Sequence, residues 1–182
     1  ASLLGVEGGH MIEDDLGKLI DLHKGGVRYM TLTWNNSTSW ASSAADETTV
    51  DKTSLQLPPK EGEVRRLTKL GLTEFGEAVV KKMNELGMLV DLSHVGEQTF
   101  WDVMKIVTKP VLVSHSCVYA LCPHRRNLKD EQIKAIAANG GVIHLNFYSG
   151  FVDPDFEARS DAFTARHKTE MDSLLKINPE PY

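Results

Sequence analysis

Between Met88 and Ser116 the chain reads MLVDLSHVGEQTFWDVMKIVTKPVLVSHS: two apolar runs, each ending in a Ser-His pair, on either side of a stretch with helical spacing. Short apolar runs bounded by polar residues read as strands, so this is a strand–helix–strand unit. Two strands joined by one crossover helix run parallel and lie side by side or nearly so. His94 and His115 then fall at the same end of the sheet, close enough to share one metal ion. A single histidine after a strand is better explained as a turn cap or a donor to a carbonyl. Two at matching places in consecutive units shift the balance towards metal ligation.

The same grammar recurs along the chain. GGVRYMTLT, LGMLVDLSH, TKPVLVSH and NGGVIHLNF each place glycine or proline before an apolar strand with a polar end. With the opening run SLLGVE they predict about five parallel strands alternating with flanking helices, an α/β arrangement. A first helix is expected from the spacing of Ile12, Leu16, Leu19 and Ile20, ending at Gly25-Gly26. A second runs from an N-cap at Thr73 to Gly87, with Phe75, Val79, Val80, Met83 and Leu86 on one face. Further helices are expected from Asp130 to Ala138 and, beyond Pro154, to about Lys176. Between Trp34 and Arg66 the chain is too rich in Ser, Thr and Pro to predict a packed element. This long loop leaves a strand end and is expected on the site side, with a disordered insertion as the bland alternative; Trp34 and Trp40 argue for packing. A closed eight-stranded barrel takes about 250 residues, and this chain has 182. The expectation is a single, incomplete unit over residues 1–182: a piece of a larger α/β sheet or TIM-type barrel, with an unclosed sheet and exposed apolar edges.

Other residues carry chemistry. Glu7 follows an apolar run and precedes Gly8-Gly9; a carboxylate there is costly unless paired or metal-bound, and the glycines admit close backbone approach. His10 reads equally as a partner of that site or as a turn residue. Arg125 and Arg126 read either as solvated loop arginines, the usual case, or, on a strand-end loop near the two histidines, as a carboxylate clamp. His144 alternates within its strand and is read as a sheet residue. Cys117 and Cys122 are expected as free thiols. A net charge of -5 without a clustered basic stripe argues against nucleic acid or an anionic membrane as main partner. Nothing approaches the run of about 18 apolar residues that a membrane span needs, and compartment and homo-oligomerisation are left open.

Taken in order, GVEGGH, YMTLT, LVDLSH, VLVSHS, HRRN and NFY resemble the membrane (renal) dipeptidase family of zinc peptidases, related to amidohydrolases, from about Ser2 to Phe151. The resemblance implies a (β/α)₈ barrel, a binuclear zinc site and hydrolysis of dipeptides by a metal-activated water. It implies that Glu7 bridges the two ions, that His94 and His115 ligate one of them, and that Arg126 binds the substrate carboxylate. The family's N-terminal His-x-Asp motif would precede Ala1 and its late strand-end Asp would follow Tyr182, so a piece of a larger domain is expected. That piece alone is expected to hold at most one weakly bound ion, with little or no activity. Where the family commonly has a histidine after the TLT strand, this chain has Trp34. That keeps an amidohydrolase-like deacylase or lactonase as the runner-up, and a non-catalytic truncated barrel module as the reading from another class.

Overall fold

The computed structural model describes residues 2–49 and 69–177. Its elements are strand β1 (Leu4–Glu7), a 3₁₀ turn (Gly9–Ile12), α1 (Leu16–Lys24), β2 (Val27–Thr31), α2 (Ala44–Thr49), α3 (Glu74–Leu86), β3 (Leu89–Asp91), α4 (Glu97–Ile106), β4 (Leu112–Ser116), α5 (Asp130–Asn139), β5 (Val142–Leu145), α6 (Ser149–Val152), α7 (Phe156–Arg166) and α8 (Lys168–Ile177). The strands form one parallel sheet in the order β1-β2-β3-β4-β5. Sequential order with helical crossovers is the barrel pattern, here not closed into a barrel. The edge strands leave Leu4 and Leu145 mostly exposed, as are Leu3, Val142 and Phe147.

Alternation along the strands sorts the side chains. Met30, Val90 and Val113 face the helices and join Leu19, Val79, Val80, Met83, Phe100, Val103 and Ile136 in one buried cluster. The other face carries Glu7, Thr31 and Asp91 in a row, because the register pairs Glu7 with Thr31 and Thr31 with Asp91. Gly5 is required on this face: a Cβ there would meet the ring of Tyr29 across the β1–β2 pair.

Helix α3 begins and ends as its sequence predicts. Thr73 accepts a hydrogen bond from Gly76 N, and Gly87 closes the helix at φ 73°, a left-handed conformation that costs glycine little. The first helix differs. Ile12 belongs to the 3₁₀ turn, and α1 starts only after Asp15, whose side chain accepts from Gly17 N. Glu13 and Asp14, both at positive φ, break the spacing that makes Ile12 look continuous with Leu16. The fifth strand is shorter than its apolar run, ending at Leu145, since the chain turns into α6 at Tyr148.

The largest departure lies in the Ser/Thr-rich segment after β2. Its described part is packed: Trp40, Ala41, Ser42, Ser43 and Ala44 are buried, and α2 follows. The hydroxyls do not obstruct burial because each has a partner. Thr38 Oγ1 accepts from Ala41 N at 3.0 Å, Ser42 Oγ lies 2.9 Å from Thr99 Oγ1, and Ser43 Oγ donates to Asn35 O at 3.0 Å. Residues 50–66 of the expected loop lie outside the described residues. Both cysteines are free and buried, and no helix among the described residues is long and apolar enough to cross a membrane.

Candidate metal centre

Three strand ends converge at the C-terminal edge of the sheet. Glu7 closes β1, His94 lies three residues beyond β3, and His115 sits in β4. Glu7 Oε1 is 3.0 Å from His94 Nε2 and 3.2 Å from His115 Nε2. The two imidazoles lie 4.9 Å apart, tilted 65° to one another. One ligand atom from each residue fits within 4.8 Å of the others, the geometry of a metal-sized gap.

Local structure aims each side chain. Asp91 Oδ1 accepts Ser93 N at 3.0 Å, turning the chain sharply after β3. His94 then takes φ 67°, a left-handed conformation uncommon outside glycine that is held only where surroundings enforce it. Ala44 N supplies one such hold by donating to His94 O at 2.8 Å. His115 is held through its backbone N, which donates to Ser93 Oγ at 3.0 Å, and through Nδ1, 2.7 Å from Ser114 Oγ.

Arg126 arrives on the loop after β4. Asn127 anchors that loop by accepting from Cys117 N and donating to Cys122 O and Phe151 O, each at 2.9 Å. Arg126 Nη2 donates to His115 O at 3.3 Å, and the guanidinium stands over the Phe151 ring at 5.4 Å. Its Nη1 lies 2.8 and 2.9 Å from the two nitrogens of His94. The two nitrogen axes diverge in the ring plane, so a single donor this close to both sits over the ring face. The His94 nitrogen facing Glu7 thus has Glu7 Oε1 at 3.0 Å and Arg126 Nη1 at 2.9 Å beside it.

The electrostatics favour neutral ligands. Burial, reinforced by Arg126 and His115, pushes the His94 imidazole down to about 3. His115 is lowered in the same way, by burial and then by Arg126, with Asp91 and Glu7 opposing. Arg126 is lowered to about 10 by burial, partly offset by Glu7 and Asp91, and stays charged at neutral pH. Two neutral imidazoles and a carboxylate match the donor set of a zinc-type ion.

Other residues find their places. His10 Nε2 is 3.2 Å from both Ser37 O and Asn36 Nδ2, which makes it a turn residue. Trp34 is partly exposed, its ring 6.4 Å from His94. His144 is an exposed sheet residue, and Arg125 is exposed on its loop. Sequence reasoning passed over Asp91, which is fully buried behind the histidines. The signal was available: like Glu7, it is a carboxylate inside an apolar run.

The family model for membrane dipeptidase peptidases matches residues 1–174. This chain belongs to the membrane dipeptidase family. Among solved structures, a metallo peptidase from Rhodobacter sphaeroides, liganded with a phosphinate mimic of the dipeptide L-Ala-D-Ala, is similar at 30% identity and a TM-score of 0.68. That match covers 84% of this chain and 40% of the other. A dipeptidase described as a metallo peptidase is similar at 29% identity and TM-score 0.68, covering 84% and 41%. An amidohydrolase from Pseudomonas aeruginosa follows at 28% identity and TM-score 0.66, covering 84% and 40%. The dipeptidase-family chain thus spans about 40% of the length of these relatives.

Proposed function

We propose that this chain carries the Glu-His-His part of a zinc centre and the carboxylate clamp of an enzyme that hydrolyses dipeptides. The convergence of Glu7 Oε1 on His94 Nε2 and His115 Nε2 at 3.0 and 3.2 Å carries the reading. Zinc held there supplies Lewis acidity, lowering the pKa of water and polarising the scissile carbonyl. His94 and His115 donate neutral nitrogen lone pairs, and Glu7, with two carboxylate oxygens, is the group suited to bridge a pair of ions. Arg126 makes no ion pair among the described residues, and its Nε is buried without a partner. It is the group to receive the free carboxylate of a dipeptide, which restricts the substrate to short peptides, because a longer chain has no carboxylate at that position. A phosphinate dipeptide mimic bound to the Rhodobacter sphaeroides relative supports the same substrate class.

Trp34 beside His94 supports a second reading, in which the same centre cleaves an N-acyl amino acid or lactone whose apolar part rests on the indole. A zinc-loaded form extended at both ends to the length of its relatives, assayed on dipeptides, N-acyl amino acids and lactones, separates the two. Turnover confined to dipeptides, abolished by chelation and restored by zinc, is the expected result. Turnover confined to the acyl substrates replaces the first reading with the second, and turnover that persists unchanged after complete metal removal overturns both.

A further inference from the structure

The proton inventory behind His115 points to a specific device. Asp91 is fully buried, and each of its oxygens accepts two hydrogen bonds. Oδ1 takes the backbone N–H groups of Ser93 and Ser114, both at 3.0 Å. Oδ2 takes the hydroxyls of Thr31 at 2.9 Å and Ser114 at 2.5 Å. Four donors saturate a carboxylate, and the shortest of these contacts has the length of a charge-assisted O–H···O⁻ bond. The single hydroxyl proton of Ser114 is therefore committed to Asp91. What Ser114 Oγ has left for His115 Nδ1, 2.7 Å away, is a lone pair.

We infer that Asp91, acting through the Ser114 hydroxyl, is a positioning residue that holds His115 in the tautomer protonated at Nδ1, keeping Nε2 bare for a metal ion. The competing arrangement puts the proton on Nε2, donating to Glu7 at 3.2 Å. Burial decides between them. The Glu7 side chain is 52% exposed and can turn its carboxylate to water, whereas Asp91 has no solvent to turn to and its four donors fix it. Ser93 completes the frame: its Oγ accepts the His115 backbone N–H and lies 3.2 Å from Ser114 Oγ. A metal-bound histidine whose other ring nitrogen donates to an oxygen is held in orientation and is the more basic ligand. Here the oxygen is a serine hydroxyl polarised by a buried carboxylate.

The importance of the tautomer for catalysis rests on the zinc reading above; the tautomer itself does not. It is read by long-range ¹H–¹⁵N correlation spectroscopy of the His115 ring in the metal-free protein, alongside zinc titration. The wild type is expected to show the Nδ1–H form. Ser114→Ala should move the proton to Nε2 and weaken zinc binding by about 10- to 100-fold, while Ser114→Thr, which keeps the hydroxyl, should restore both. An Nε2–H ring in the wild type, or a Ser114→Ala variant with unchanged tautomer and zinc affinity, overturns the inference. A protein with the expected tautomer and zinc response that hydrolyses no dipeptide leaves the device standing and removes only the substrate assignment.

Discussion

Glu47 offers a test of how the segment after β2 is locked to the site-bearing units. Helix α4 joins the two histidine strands, and Gly96 at its N-cap has no side chain to satisfy the first amide groups. Glu47, from α2, does so instead: its carboxylate accepts Gln98 N at 2.9 Å and Thr99 N at 3.3 Å, together with the Ser42 hydroxyl. Glu47→Ala removes a cap worth about 1 kcal/mol and a carboxylate at a helix N-terminus worth about 0.3–1 kcal/mol. The Ser42 hydroxyl can turn to Thr99, 2.9 Å away. The expected loss is about 1–2 kcal/mol, or a fall in Tm of about 2–8 °C at the 2–4 °C per kcal/mol typical of a chain this size. A Cβ at Gly96 would fall on the Glu47 side-chain carbons, so Gly96→Ala should displace the same carboxylate and cost a similar amount alone. In the Glu47→Ala background the clash is gone, and Gly96→Ala should be nearly neutral. Urea unfolding of the four proteins of this cycle, with equal m values, measures the coupling. Equal costs of Gly96→Ala in both backgrounds would refute the proposed capping.

Three further outcomes are expected. In the form extended to the length of the relatives, His94→Ala or His115→Ala should abolish zinc-dependent dipeptide turnover and weaken zinc binding in calorimetry, each removing one of three converging donors. Arg126→Lys should raise KM for dipeptides by about 10- to 100-fold, the loss of a charge-assisted pair of about 1.5–3 kcal/mol, with a smaller effect on substrates lacking a carboxylate; equal losses on both would count against the clamp. Metal-free protein should lose stability on acidification. The His94 imidazole, held at about 3 in the fold against an ordinary 6.5, binds its proton only in the unfolded chain between those values. Stability is then full above pH 6.5 and falls towards pH 3; thermal melts on His94→Gln, lacking most of that slope, provide the check.

Much of the fold was legible because its signals are local. Apolar runs of strand length, glycines before them and polar residues after them mark where each strand begins and ends, and crossover helices between them make the strands parallel. Once that is granted, Glu7, His94 and His115 must share one edge. In the described part of the Trp34–Arg66 segment, residues 34–49, composition misled because it reports only what a residue prefers when solvated. Thr38, Ser42 and Ser43 are buried because particular partners await them, and Thr99 is 57 positions from Ser42.

By itself the sequence determined that about five strands run parallel, the end of the sheet at which the chemistry collects, and the residue types that meet there. Those follow from periodicity and connectivity, which a chain carries within a few dozen residues. Only the tertiary structure decided that Asp91 is saturated by four donors, that His94 adopts a left-handed backbone, and that Arg126 lies within 2.9 Å of both nitrogens of its ring. Thr31, Asp91 and Ser114 come from three strands, and which proton serves which oxygen depends on separations of a few tenths of an ångström. Such distances exist only once the sheet has formed and its register has fixed which side chains stand side by side.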